Sequence, residues 1–130
     1  MVQATQLTVA ERETYARGRK HFEHGEIDPA LEAFASLLQS RQNFADIHYM
    51  VGILFDRKGD LDAAAESLRK AVRLNPAYAE ALLALATVYE RSGDYDRSRE
   101  LASAYLRIAE LDHMHRHALE LGELFGARRR

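Results

Sequence analysis

Residues 45–78 read ADIHYMVGILFDRKGDLDAAAESLRKAVRLNPAY, and this stretch decides the fold. Its first part, Ile47 to Phe55, is apolar except for His48 and Gly52, which suits a helix enclosed by protein on most sides. Gly59-Asp60-Leu61-Asp62 follows. The glycine can take the left-handed backbone that ends a helix, and the carboxylates can cap the next one. The second part sets Ala64, Leu68, Ala71 and Val72 on one helical face. Asn75-Pro76 closes it, because a residue before proline disfavours the α region. The stretch predicts a helical hairpin whose apolar surface is too wide to cover by itself. It needs neighbours of its own kind.

The chain supplies them. The turn recurs as Gly25-Glu26-Ile27-Asp28 and Gly93-Asp94-Tyr95-Asp96, so the three glycines stand 34 residues apart. Other slots keep that step: Gly18, Gly52, Ala86; His21, Phe55, Tyr89; Ala30, Ala64, Ser98; Phe34, Leu68, Ala102; Leu38, Val72, Leu106. Small residues at Gly52 and Ala64 fit a close approach of two helix backbones, with Phe55 and Leu68 filling the space beside them. A period of 34 residues built from helix, turn and helix resembles the tetratricopeptide repeat family, over about residues 11 to 112. The middle repeat matches best. The first carries Arg17 and Gln42 where the family has a large apolar residue and proline, and the third carries Ser98, Ala102 and Tyr105 where small, large, small is usual.

The resemblance implies an all-α fold, a right-handed superhelical stack of three hairpins at about 11–44, 45–78 and 79–112. Each repeat buries its face only against the next, so three are about the minimum for a stable stack. Thr8 with Glu11 forms a capping-box pattern that predicts a helix from about Val9. Asp28-Pro29 reads as an N-cap and first-turn proline. Met114, Ala118, Leu121 and Phe125 form one apolar stripe, which predicts a separate capping helix at about 113–125, started by Asp112. The expected domain is 9–126, with a flexible start at 1–8 and a loose basic tail at 127–130.

With 130 residues and 47% apolar composition, one domain with a continuous core is expected. No apolar run is long enough to span a bilayer, and MVQATQLT lacks the basic start and apolar run of a signal peptide. A cytoplasmic protein is the resulting expectation. The absence of cysteine excludes disulfides and thiol chemistry. Lys and Arg against Asp and Glu count 5 to 6 over residues 1–44, 5 to 5 over 45–78 and 8 to 9 over 79–130. No basic face exists beyond Arg128–Arg130, so neither a nucleic-acid nor a membrane partner is expected.

No motif points to catalysis. His113 and His117 lie one helical turn apart but have no HExxH-type partner, so solvated histidines are the better reading and no metal is expected. His21 and His48 fill slots that are usually aromatic or apolar, which suits packing. The turn carboxylates recur three times, as caps do and an active site does not. No phosphate-cradling glycine loop, nucleophile elbow or cofactor motif is present.

What remains is the surface of the first helix of each repeat. The family's geometry implies that these helices line a concave groove holding a partner peptide. The groove would present Arg12, Tyr15, Arg19, Phe22 and Glu23, then Asp46, Tyr49, Ile53, Asp56 and Arg57, then Glu80, Leu83, Thr87, Glu90 and Arg91. Its centre is apolar and aromatic, as binding hot spots are, and its rims carry mixed charge. Members that clasp the carboxylate ends of heat-shock chaperones use Lys, Asn and Arg at set slots. Here those slots hold Tyr15, Arg19, Met50, Glu80 and Ala84, which argues against such a clamp. The expected function is a non-enzymatic adaptor for another protein. The alternative is a homo-oligomerising scaffold, such as a homodimer, pairing through the groove or the last helix, where Leu119 and Leu124 lie off the main stripe.

Overall fold

A computed structural model describes residues 7–128, with side-chain surroundings up to Glu123. The flexible start and basic tail expected at 1–8 and 127–130 fall mostly outside the described residues. The described chain forms six helices: α1 Val9–Glu23, α2 Ile27–Leu38, α3 Ala45–Lys58, α4 Leu61–Leu74, α5 Ala79–Arg91 and α6 Tyr95–Arg128. Consecutive helices pair as three antiparallel hairpins, and each hairpin packs on the next.

Local chemistry sets most of the boundaries. The Thr8 hydroxyl accepts from the Glu11 N–H at 3.1 Å, and the Glu11 carboxylate accepts from the Thr8 N–H at 3.0 Å, closing the capping box that starts α1. Gly25, Gly59 and Gly93 have φ of 71°, 89° and 88°, the left-handed conformation each tight turn requires. Asp60 and Asp94 cap the following helices by accepting from Ala63 and Arg97 N–H groups. Asp28 does not play that part. Helix α2 starts at Ile27 with Glu26 in the cap position, which places Asp28 in the first turn, where its carboxylate pairs with Lys58 at 3.0 Å.

The hairpins close because their small residues sit where helices cross. A Cβ on Gly18 would lie 2.7 Å from the Phe34 ring, and one on Gly52 would lie 2.6 Å from Leu68 Cγ. The third hairpin solves the same contact differently. Ser98 is buried and donates its hydroxyl to the Ala86 carbonyl at 2.8 Å, so the polar atom in an alanine slot is satisfied. Gln42, standing where the family has proline, donates to the Leu38 carbonyl, and its own carbonyl holds His48 Nε2 at 2.8 Å. His48 is 3% exposed, and burial pushes its pKa below the ordinary value.

Two apolar clusters form the core. One joins Phe34, Leu37, Ile47 and Leu54; the other joins Ala64, Leu68, Leu85 and Val88. Tyr49 and Phe55 pack against both and make the core continuous.

The separate capping helix is absent. Residues 113–128 are helical, but α6 runs unbroken through Asp112 for 34 residues. Every earlier helix ends at a glycine turn, a proline or a stretch of irregular chain, whereas Ile108-Ala109-Glu110-Leu111-Asp112 holds no breaker and several strong helix formers. Every described side chain from Ala109 to Glu123 is exposed, so this part extends past the third hairpin and does not fold over it. The side chains of Leu124 and Phe125 lie outside the described residues.

Candidate partner-binding groove

Helices α1, α3 and α5, the first of each hairpin, present the residues expected to line the groove. Tyr15, Phe22, Tyr49 and Ile53 are half-buried; Arg12, Arg19, Arg57, Leu83, Thr87, Glu90 and Arg91 are exposed. Leu83 keeps 46% of its surface in solvent, much for an aliphatic side chain on a packed helix.

Several of these residues meet across neighbouring hairpins. The Tyr15 hydroxyl donates to the Asp46 carboxylate, and its ring lies edge-on to Phe34 with centroids 6.4 Å apart. Burial, reinforced by Asp46, pushes the Tyr15 pKa up to about 12. The Arg57 guanidinium lies 5.0 Å from the centroid of the Phe22 ring, a cation–π contact from α3 to α1. Arg91 on α5 pairs with Asp56 on α3. Within α1, Arg19 pairs with Glu23 at 3.3 Å, and within α5 the Thr87 hydroxyl donates to the Leu83 carbonyl at 2.9 Å. Arg12 and Glu90 show no such role in the geometry.

The arrangement is a line of aromatic and aliphatic side chains flanked by one ion pair, one cation–π contact and one hydrogen bond that hold adjacent first helices together. It offers burial and charge recognition, and among the described residues no group of three or more His, Cys, Asp or Glu side chains could hold a metal ion.

Two features escaped the sequence reading. Tyr78, ahead of α5, packs against Tyr49 with centroids 5.2 Å apart and the rings tilted by 38°, and burial with nearby carboxylates pushes its pKa up to about 12. The signal was present: Phe44 and Tyr78 stand 34 residues apart, both immediately before a first helix. The second feature is an open cleft of about 340 Å³ on the face built by the second helices. Arg69 and Arg73 of α4 form one wall and Arg97 of α6 the other, over Leu85 and Tyr89 of α5. In the sequence this patch is masked, because acidic residues of the same hairpins balance its arginines.

Six helices in three stacked hairpins, with three glycine turns and small residues at the crossings, define a helical-repeat protein of the helix–turn–helix solenoid class. The family model described as tetratricopeptide repeat matches residues 15–78 and 49–113, and the chain belongs to that family. No curated protein matches the sequence. Among solved structures, a crystal structure of MamA superposes with a TM-score of 0.75 at 23% identity, covering 80% of this chain and 61% of that one. A second MamA structure gives 0.70 at 24% identity, covering 77% of this chain and 55% of that one. The second TPR of Spaghetti (RPAP3), bound to the HSP90 peptide SRMEEVD, gives 0.73 at 16% identity, covering 82% of this chain and 98% of that one. The chain therefore spans less than two thirds of the length of those two MamA chains. At these identities the likeness is one of fold. No described helix is long and apolar enough to cross a membrane.

Proposed function

We propose that the protein is a non-enzymatic adaptor that holds a peptide or helix of another protein along the face of α1, α3 and α5. The observation that carries this reading is the placement of Tyr49, Ile53 and Leu83. These apolar side chains stay half-buried or exposed in the middle of a surface whose flanks are tied by Arg57–Phe22 and Arg91–Asp56 contacts. A ligand would bury the apolar centre, and the charged flanks would set partner choice and association rate. The peptide named with the RPAP3 structure supports a peptide ligand in kind. Its acidic carboxy-terminal chemistry fits less well here, because Met50 is buried and Glu80 occupies a slot where a carboxylate clamp needs a donor. The reading assigns the adaptor to the cytoplasm.

The test is selection of peptides from a displayed library on the purified chain, followed by calorimetry with the consensus peptide. Peptides with apolar anchors are expected. Tyr49→Ala should weaken them by about 2 kcal/mol or more, roughly thirtyfold, and lower the thermal midpoint less than the core change Leu54→Ala. A large loss of stability with intact binding would make Tyr49 a core residue and move the partner surface elsewhere.

A second reading, self-association, is favoured by one observation. Leu111, Met114, Leu119 and Leu121 on the extension of α6 are between 39% and 63% exposed.

A further inference from the structure

Two surfaces lie away from the groove, and they carry opposite charge. The first is the cleft between α4 and α6. Its arginines 69, 73 and 97 outnumber Glu100, so it carries a net charge of +2 (3 − 1), and its apolar floor includes Val72, Leu85 and Leu101. The second is the extension of α6. From Glu110 to Glu123 it bears four carboxylates, Glu110, Asp112, Glu120 and Glu123, against Arg116, a net charge of −3 (1 − 4) with histidine neutral.

Helix periodicity links the two. The face of α6 turned toward α5 runs through Ser98, Leu101 and Tyr105, in steps of three and four residues. Continued in the same steps, it reaches Asp112, Arg116, Leu119 and Glu123, all of them exposed in this chain. The 34 residues of α6 span about 51 Å at 1.5 Å per residue. Two such helices set antiparallel about a two-fold axis near Glu110 would bring Leu119 of each opposite Leu101 of the other. Glu123 would then descend between the arginine walls.

We propose that the α6 extension of one copy docks, antiparallel, in the arginine-walled cleft of a second copy, forming a two-fold dimer. The proposal rests on the self-association reading and names its surface. Charge complementarity selects the occupant: an acidic helix with a central leucine meets a basic cleft with an apolar floor, and two-fold symmetry makes the contact twice. The cleft is also pre-arranged. Arg69 donates to the Tyr89 hydroxyl at 3.0 Å, and the Arg97 guanidinium lies 5.7 Å from the Tyr89 ring centroid, which limits the ordering cost when carboxylates arrive. Guanidinium suits the site because its planar fork takes a carboxylate by two parallel hydrogen bonds.

The test is sedimentation of the full chain over a concentration series at low and high salt. A monomer–dimer equilibrium weakened by salt is expected. Arg73→Glu and Glu123→Lys, both at exposed positions, should each weaken the dimer about tenfold or more, and the double variant should restore it. Because the chain has no cysteine, Ala109→Cys, exposed and beside the docking face, supplies a single thiol that should cross-link to its own copy next to the axis. Tyr49→Ala should leave the dimer unchanged. A chain that stays monomeric at every concentration overturns the docking and the self-association reading together. A dimer insensitive to Arg73→Glu and Glu123→Lys overturns the docking alone.

Discussion

Two glycines of the central hairpin do different physical work. Gly59 has φ of 89° with nothing within 4 Å of an added Cβ, whereas a Cβ on Gly52 would press into Leu68. Gly59→Ala should therefore cost about 1–2 kcal/mol through backbone strain alone. Gly52→Ala should cost about 1–3 kcal/mol through overpacking, and a Leu68→Val change in the same chain should relieve part of it. Denaturant titration of the three variants checks this; equal costs with no relief would mean that helices α3 and α4 do not meet at Gly52. Glu11 gives a pH prediction. The Arg41 hydrogen bond, together with the Thr8 N–H, lowers its carboxyl from 4.5 to about 2. A folded-state pKa below the unfolded value means that this group stabilises the fold above about 4.5, and that its contribution fades as pH falls toward about 2. The thermal midpoint of the wild type should drop through that window more steeply than that of Glu11→Gln. Parallel curves would exclude Glu11 as a source of acid lability.

At the scale of elements, α6 carries the largest departure from expectation. The stripe Met114, Ala118, Leu121 and Phe125 predicts a helix and is helical, yet a stripe says only that one face wants cover and not which body provides it. Asp112 can cap a new helix, but only where the previous one has ended. Without a glycine or proline ahead of it, propensity carries the previous helix straight through. Removing residues 113–130 should accordingly leave the thermal midpoint of the dilute, monomeric chain nearly unchanged, since the deleted described side chains are all exposed. A fall of several degrees would show that the extension covers the third repeat after all. Helix α2 starts two residues before the position that an Asp28 cap predicts, because a proline in the first turn tolerates either Glu26 or Asp28 ahead of it, and the tight Gly25 turn selects the earlier start.

Across the whole molecule, stability is distributed unevenly along the stack. Helices α3, α4 and α5 hold most of the fully buried side chains and are bridged by Tyr49 and Phe55, whereas α1 buries only Gly18 completely. In a linear array each hairpin is supported only by its neighbours, so the ends open first. Amide hydrogen exchange should be slowest in α3–α5, faster in α1, and fastest in α6 beyond Ala109 when the chain is dilute. Uniform protection along α6 under those conditions would mean that its extension is covered within one copy. The proposed groove and the arginine cleft lie on opposite helix layers of this stack, so the proposed ligand and the proposed second copy would not compete.

The 34-residue step of the glycine turns, and of the small residues that match them, determined the repeat, the hairpins and the family, because turn geometry and helix crossings constrain residue type locally. Which first-helix residues reach the surface was legible for the same reason, as a shared register in each repeat. The pairing of Tyr49 with Tyr78, of Arg57 with Phe22, and of Arg91 with Asp56 depended on how one hairpin is set against the next. The cleft between α4 and α6 and the exposed extension of α6 were likewise decided only in three dimensions. Each arises where separate helices fail to meet, and a gap between elements has no periodicity of its own to read.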